Sequence, residues 1–109
     1  MLGRQADPAA RILPAPTAPA GELSIGAVLS LTGNANLYGQ DQRLGIDLAR
    51  EWARGRTTLR PLRLQLEDGG SDEATAIAGF NLLIDRGVLA LIGPTLSQQA
   101  FAADPIAQR

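Results

Sequence analysis

The sequence predicts an α/β fold, a three-layer arrangement in which three parallel strands in spatial order 2-1-3 carry helices on both faces. Three observations lead there. Leu23 to Gly39, LSIGAVLSLTGNANLYG, begins as an apolar run without alternating charges and empties into a polar loop. A strand that is oily on both faces is one that a parallel sheet buries between helix layers. Stretches with helical periodicity then alternate with two further extended stretches, the pattern of crossover units. The second extended stretch, Leu62 to Asp68, alternates leucine with polar residues and so belongs at an edge.

Residues 1–22 are set apart as a disordered tether. Pro8, Pro14, Pro16 and Pro19 stand among alanines with few large apolar groups, which suits an extended segment. No apolar run of seven residues follows Arg4, so this start does not read as an export signal. The folded unit is expected over residues 23–109, and its core is necessarily modest.

Gln40 to Arg54 places Leu44, Leu48 and Trp52 at four-residue spacing, with Gly45, Ala49 and Ala53 beside them. This predicts a helix of about four turns that lies on the sheet by that stripe, with Asp47, Arg50, Glu51 and Arg54 toward water and Gly55 as its C-cap. Gly69 and Gly70 turn the chain after the edge strand. Ser71 is the expected N-cap of the next helix, and Asp72 and Glu73 read as its acidic start rather than as metal ligands. That helix runs to Arg86 with Ile77, Phe80 and Ile84 inward, and Gly87 ends it. Val88 to Ile92, VLALI, reads as a second fully apolar strand, and a last helix begins near Gln98. A fourth strand would continue such a sheet beyond the third. With that side uncovered, the chain is expected to be marginally stable or to associate through it.

Composition excludes much chemistry. The chain has no Cys, His or Lys, which removes soft metal ligands, the usual general base, thiol and Schiff-base nucleophiles and the P-loop lysine. No enzyme activity, metal or cofactor is expected. A net charge of −1 without a basic cluster predicts no nucleic-acid partner and no membrane insertion. The acids Glu67, Asp68 and Asp72 do not form a convincing hydrolase pair beside a capping serine. A dinucleotide site needs G-x-G-x-x-G after the first strand, where only Gly33 and Gly39 stand.

Ligands of open α/β sheets bind at the carboxyl ends of the strands, here between the loops at 32–39 and 93–98. Ser97, followed by the amides of Gln98 and Gln99, is a helix start that attracts a carboxylate or phosphate; on spacing alone it either receives an anion or simply caps its helix. Tyr38 can cover an apolar ligand group or merely pack, and Asn34 and Asn36 read as turn residues. The candidate ligand-binding set is Ser97, Tyr38, Thr95 and Gln98.

Taken together, IGAVLSLTGNANLYGQDQRLGIDLA and LRLQLEDGGSDEATAIAGFNLLIDRGVLALIGPTLSQQAFAADPIA resemble the type I periplasmic solute-binding proteins of branched-chain amino acid transporters, over Ile25 to Ala107. The TG…YGQ loop, the ED…SD turn and the IGP…S…A…P ending carry the likeness. The resemblance implies a partial N-terminal lobe of a hinged, two-lobed clamp. Such a clamp takes up an amino acid or similar small polar solute and delivers it to an ABC permease, in the periplasm or lipid-anchored outside the cytoplasmic membrane. It also implies that Ser97 contacts the ligand carboxylate and that Tyr38 lines the pocket. Members are about three times as long as this chain. The competing readings are a sensory or regulatory ligand-binding domain of the same fold, a non-functional truncated fragment, and a small Rossmann-like enzyme domain.

Overall fold

Strand β1 (Leu23–Leu29) runs down the middle of a three-stranded parallel sheet in the computed structural model, which describes residues 21–56 and 61–108. It is flanked by β2 (Leu62–Asp68) and β3 (Ala90–Ile92) in the order β2-β1-β3. Between and after the strands come the helices α1 (Asn36–Arg54), α2 (Glu73–Asp85) and α3 (Ser97–Ala107). This is the alternation and the strand order that the sequence predicts. Most of the expected tether, residues 1–20, lies outside the described residues. Register runs from Leu23↔Leu62 to Leu29↔Asp68, so β1 and β2 end level and their following loops start side by side.

Successive residues of β1 serve opposite layers, as the period of a strand requires. Val28 joins Ala76, Phe80, Leu83 and Ala103 in a sealed core between the sheet and the pair α2 and α3, with Val88, Leu91 and Ile106 half-buried around it. Helix α2 turns Ala76, Gly79, Phe80 and Leu83 inward. Of the expected inward set Ile77, Phe80 and Ile84, only Phe80 is fully buried; the two isoleucines are half-buried. The small residues decide the rotation. With Gly79 and Ala76 against the sheet the helix approaches Val28 closely, and Leu83 follows at helical spacing.

On the other face the expected packing of α1 is overturned. Leu44, Leu48 and Trp52, read as the sheet-facing stripe, are 59%, 63% and 62% exposed. The space under the helix is bordered by Ile46, by the expected small residues Ala49 and Ala53 and by an edge of Trp52 from α1, and by Ile25, Leu62, Leu64 and Ile92 from the sheet, around a cavity of about 300 Å³. Arg50, expected toward water, is half-buried at the edge of this cavity. The cause is Gly39 in the first turn, which is buried so closely against the Ser30 carbonyl that a methyl group there would overlap it. At 100° per residue the face containing position 39 continues through 46, 49 and 53, whereas 44 and 48 fall on the opposite side and 52 lies at the flank, where Trp52 borders the cavity while staying mostly exposed. A single backbone contact at the helix start thus outranks the oily stripe.

Three smaller expectations also change. Helix α1 begins at Asn36 rather than Gln40, with the amides of Tyr38 and Gly39 bonded to the Ala35 carbonyl at 3.1 and 3.2 Å, so the loop after β1 is shorter than predicted. Strand β3 is three residues, not five, and Ala90 and Ile92 are exposed, because among the described residues nothing lies on its outer side. Asp72, not Ser71, is the N-cap of α2, its carboxylate accepting from the Thr75 amide at 2.8 Å and the Thr75 hydroxyl at 2.9 Å. Gly55 does cap α1, and Gly87 follows the end of α2 with its amide on the Ile84 carbonyl at 2.9 Å.

Candidate functional site

Three loops, not two, meet at the carboxyl ends of the strands. The loop after β1 is tied to the turn after β2 mainly by Asp68. Its Oδ1 accepts from the amides of Leu31 at 3.0 Å, Thr32 at 3.3 Å and Gly70 at 2.7 Å, and its Oδ2 accepts from the Thr32 hydroxyl at 2.7 Å. Partial burial alone raises the pKa of this carboxyl. The hydrogen bonds from the Thr32 hydroxyl and from the Gly70, Leu31 and Thr32 amides outweigh it and hold Asp68 below the ordinary 3.8. Ser71 adds a second tie, donating its hydroxyl to the Thr32 carbonyl at 2.9 Å and accepting from the Ala35 amide at 3.0 Å. The acid that ends β2 is thus a brace between loops.

The loop after β3 joins through Thr95 and Gln99. Thr95 Oγ1 accepts from the Ser30 amide at 2.8 Å and donates to Gln42 Oε1 at 2.6 Å, which links the ends of β1 and β3 and the first turns of α1. Gln99 is fully buried. Its Nε2 donates to the carbonyls of Gly69 at 3.1 Å and Asp72 at 3.0 Å, while its Oε1 accepts from the Leu96 amide at 3.2 Å and, at 3.5 Å, from the Ser30 hydroxyl. A fully buried amide in a small domain requires this complete pairing.

The predicted set is distributed over this rim. Thr95 is at the junction of two loops with its hydroxyl engaged inside the protein. Ser97 is the first residue of α3 rather than its N-cap; the cap position is Leu96, whose side chain has no oxygen. Ser97 and Gln98 are exposed, and among the described residues neither the Ser97 hydroxyl nor the amides of Ser97 and Gln98 have a partner. Tyr38 stands in the first turn of α1, 68% exposed, not in a loop. Neither the cavity under α1 nor a second one of about 460 Å³ beside Leu29, Gln42, Gly93 and Pro94 is lined by Tyr38, Thr95, Ser97 or Gln98.

Reasoning from sequence missed Asp68, Gln42 and Gln99. For Gln99 a signal existed, since glutamine at the third position of a helix commonly reaches back to the amide of its cap residue. For Asp68 the bond to the Gly70 amide is a local turn that the sequence could have suggested, but its bonds to Leu31 and Thr32, like that of Gln42 to Thr95, span 36 residues or more, and no local pattern marks them. Among the described residues no group of three acidic side chains could hold a metal, and no helix is long and apolar enough to cross a membrane.

Known proteins share this arrangement. The family model described as periplasmic binding protein matches residues 22–109. A possible leucine/isoleucine/valine-binding protein from Rhodopirellula baltica SH 1 has 30% identity and a TM-score of 0.75, over 84% of this chain and 26% of its own. A leucine binding protein from Thermotoga maritima MSB8 gives 30% identity and 0.71, over 78% and 24%. An ABC transporter substrate-binding protein from Sphaerobacter thermophilus gives 32% and 0.72, over 78% and 23%. No curated protein matches. The chain spans about a quarter of the length of these solved relatives, all of which are described as binding proteins. Strand order, loop positions and the match over residues 22–109 agree: this chain belongs to the periplasmic binding protein family, with the fold of the first part of a type I lobe.

Proposed function

We propose that this chain forms part of the solute site of an ABC transporter's binding component, outside the cytoplasmic membrane, for an amino acid of the branched-chain type or a similar small polar solute. The observation that carries the reading is the start of α3. The Ser97 hydroxyl and the amides of Ser97 and Gln98 are exposed at the rim and have no partner among the described residues. Such a group is suited to a carboxylate. Tyr38, exposed at the start of α1, supplies apolar cover for the solute's side chain, and Gln98 a further polar contact. Thr95, its hydroxyl already engaged, acts by holding the loop that presents them. The names of the solved relatives, which include leucine-binding proteins and a transporter substrate-binding protein, support the solute class and the permease partner.

Two or three charge-assisted hydrogen bonds at roughly 1.5 to 3 kcal/mol each sum to about 3 to 9 kcal/mol, and association costs of about 4 kcal/mol or more leave them short of the ~8 kcal/mol of a micromolar complex. The reading therefore assigns the remainder to closure of a second lobe in a protein of the relatives' length. In a chain extended to that length, Ser97→Ala is expected to weaken leucine binding by about 1 to 3 kcal/mol. Because Ser97 is not the cap, stability should stay within about 0.5 kcal/mol. Tyr38→Ala should cost more affinity for leucine than for alanine. Calorimetric titration of leucine, alanine and glutamate decides the matter, with Asp72→Asn as a control at a helix cap. Parent-like binding by Ser97→Ala together with loss of binding in Asp72→Asn would place the site elsewhere.

A further inference from the structure

We infer that Gln99 is a positioning residue whose buried side chain sets the relative placement of the three loops at the carboxyl ends of the strands. The inference rests on the solute-site reading above for its consequence, but its geometry is independent of any ligand. A glutamine amide has two donor hydrogens and an oxygen with two lone pairs. Here both donors go to the turn after β2, at Gly69 and Asp72, with Gly70 O at 3.5 Å. Both acceptor sites go elsewhere, one to the Leu96 amide before α3 and one to the Ser30 hydroxyl after β1. One side chain thus reaches three chain segments separated by tens of residues, and it does so in the interior.

The arrangement also explains why Ser97 is available. Leu96 occupies the cap position and has no side-chain oxygen to offer the first turn of α3. Gln99 Oε1 takes the Leu96 amide and leaves Ser97 and Gln98 facing outward. Neither near isostere serves: methionine supplies no donor, and an ionised glutamate would turn negative charge toward three carbonyl oxygens.

The test is amide hydrogen exchange on the chain as it stands. In Gln99→Met, exchange at Leu31, Gly70 and Leu96 should rise at least tenfold while the Ala27 amide in β1 stays within twofold of the parent. Leu83→Val serves as reference for a purely structural lesion, and there β1 and the loops should accelerate together. If Gln99→Met follows the Leu83→Val pattern, or changes nothing, the inference is overturned. Should the variant not fold, the parent alone decides. The Gln99 side-chain amide hydrogens should exchange at least tenfold more slowly than those of exposed Gln98, and equal rates would overturn the inference. Since no solute enters the measurement, failure to bind leucine would refute the proposed function without touching this result.

Discussion

The two faces of the sheet are built on different terms. Toward α2 and α3, Val28, Ala76, Phe80, Leu83 and Ala103 close a core from which water is excluded. Toward α1 the helix is held mainly at its beginning, by Gly39 against Ser30 and by Gln42 on Thr95, and farther along it stands over a cavity of about 300 Å³ with its leucines outward. The sealed face is specified by apolar packing, the open one by contacts at the functional rim. The position of α1 is therefore tied more closely to the loops than to the core.

The contrast can be broken most forcefully at Leu83. Leu83→Ala removes a fully buried side chain and should cost about 3 kcal/mol in chemical denaturation, enough to leave so small a domain largely unfolded, whereas Leu48→Ala on the open face should change stability by less than about 0.5 kcal/mol. Comparable losses for the two would mean that α1 buries its leucines after all. Gly39→Ala comes next, at about 2 kcal/mol, because the helix start must back away from the Ser30 carbonyl. Its amide exchange should quicken through the first turns of α1 and leave α2 protected.

Acid sharpens the comparison from the rim side. The Asp68 pKa is depressed in the folded chain, so its stabilising contribution is complete above the ordinary 3.8 and is lost as pH falls through the lower folded value. Asp72, held down first by the Thr75 amide and then by its hydroxyl, acts in the same window. Below about pH 4 the parent should lose stability, and Asp68→Asn should show a shallower decline while being less stable by about 1 to 2 kcal/mol at neutral pH. An unchanged acid slope in that variant would remove Asp68 from the account. The smallest effect should be a gain. Gly45 sits in α1 with open space around it, and Gly45→Ala should raise stability by about 0.5 to 1 kcal/mol, measured by thermal denaturation.

The order of elements, the parallel sheet with β1 central and β2 at an edge, and the end of the sheet where polar loops gather were all legible in the sequence. They follow from local periodicity and general rules of chain connection. What was not legible depends on contacts between distant residues. The rotation of α1 is decided by Gly39 meeting Ser30, not by the spacing of Leu44, Leu48 and Trp52. Ser71 looked like a cap, yet its hydroxyl is used across the rim on Thr32, and Asp72 caps in its place. In the last loop Ser97 drew attention as an exposed hydroxyl at a helix start, while Gln99, two residues on, carries the hydrogen bonds that hold the loops together.

Trp52 gives the open face an optical label. It is the single tryptophan of the chain, it borders the cavity under α1, and Arg56 lies 4.0 Å above its ring. With 62% of its surface in water, its emission should be red-shifted and readily quenched by acrylamide in the native state. Unfolding the sealed core would change that signal little, so fluorescence alone would understate the melting that circular dichroism records. A blue shift, by contrast, would register anything that settles over α1. The chain thus carries separate spectroscopic readouts for its two faces, and disagreement between them would itself be informative.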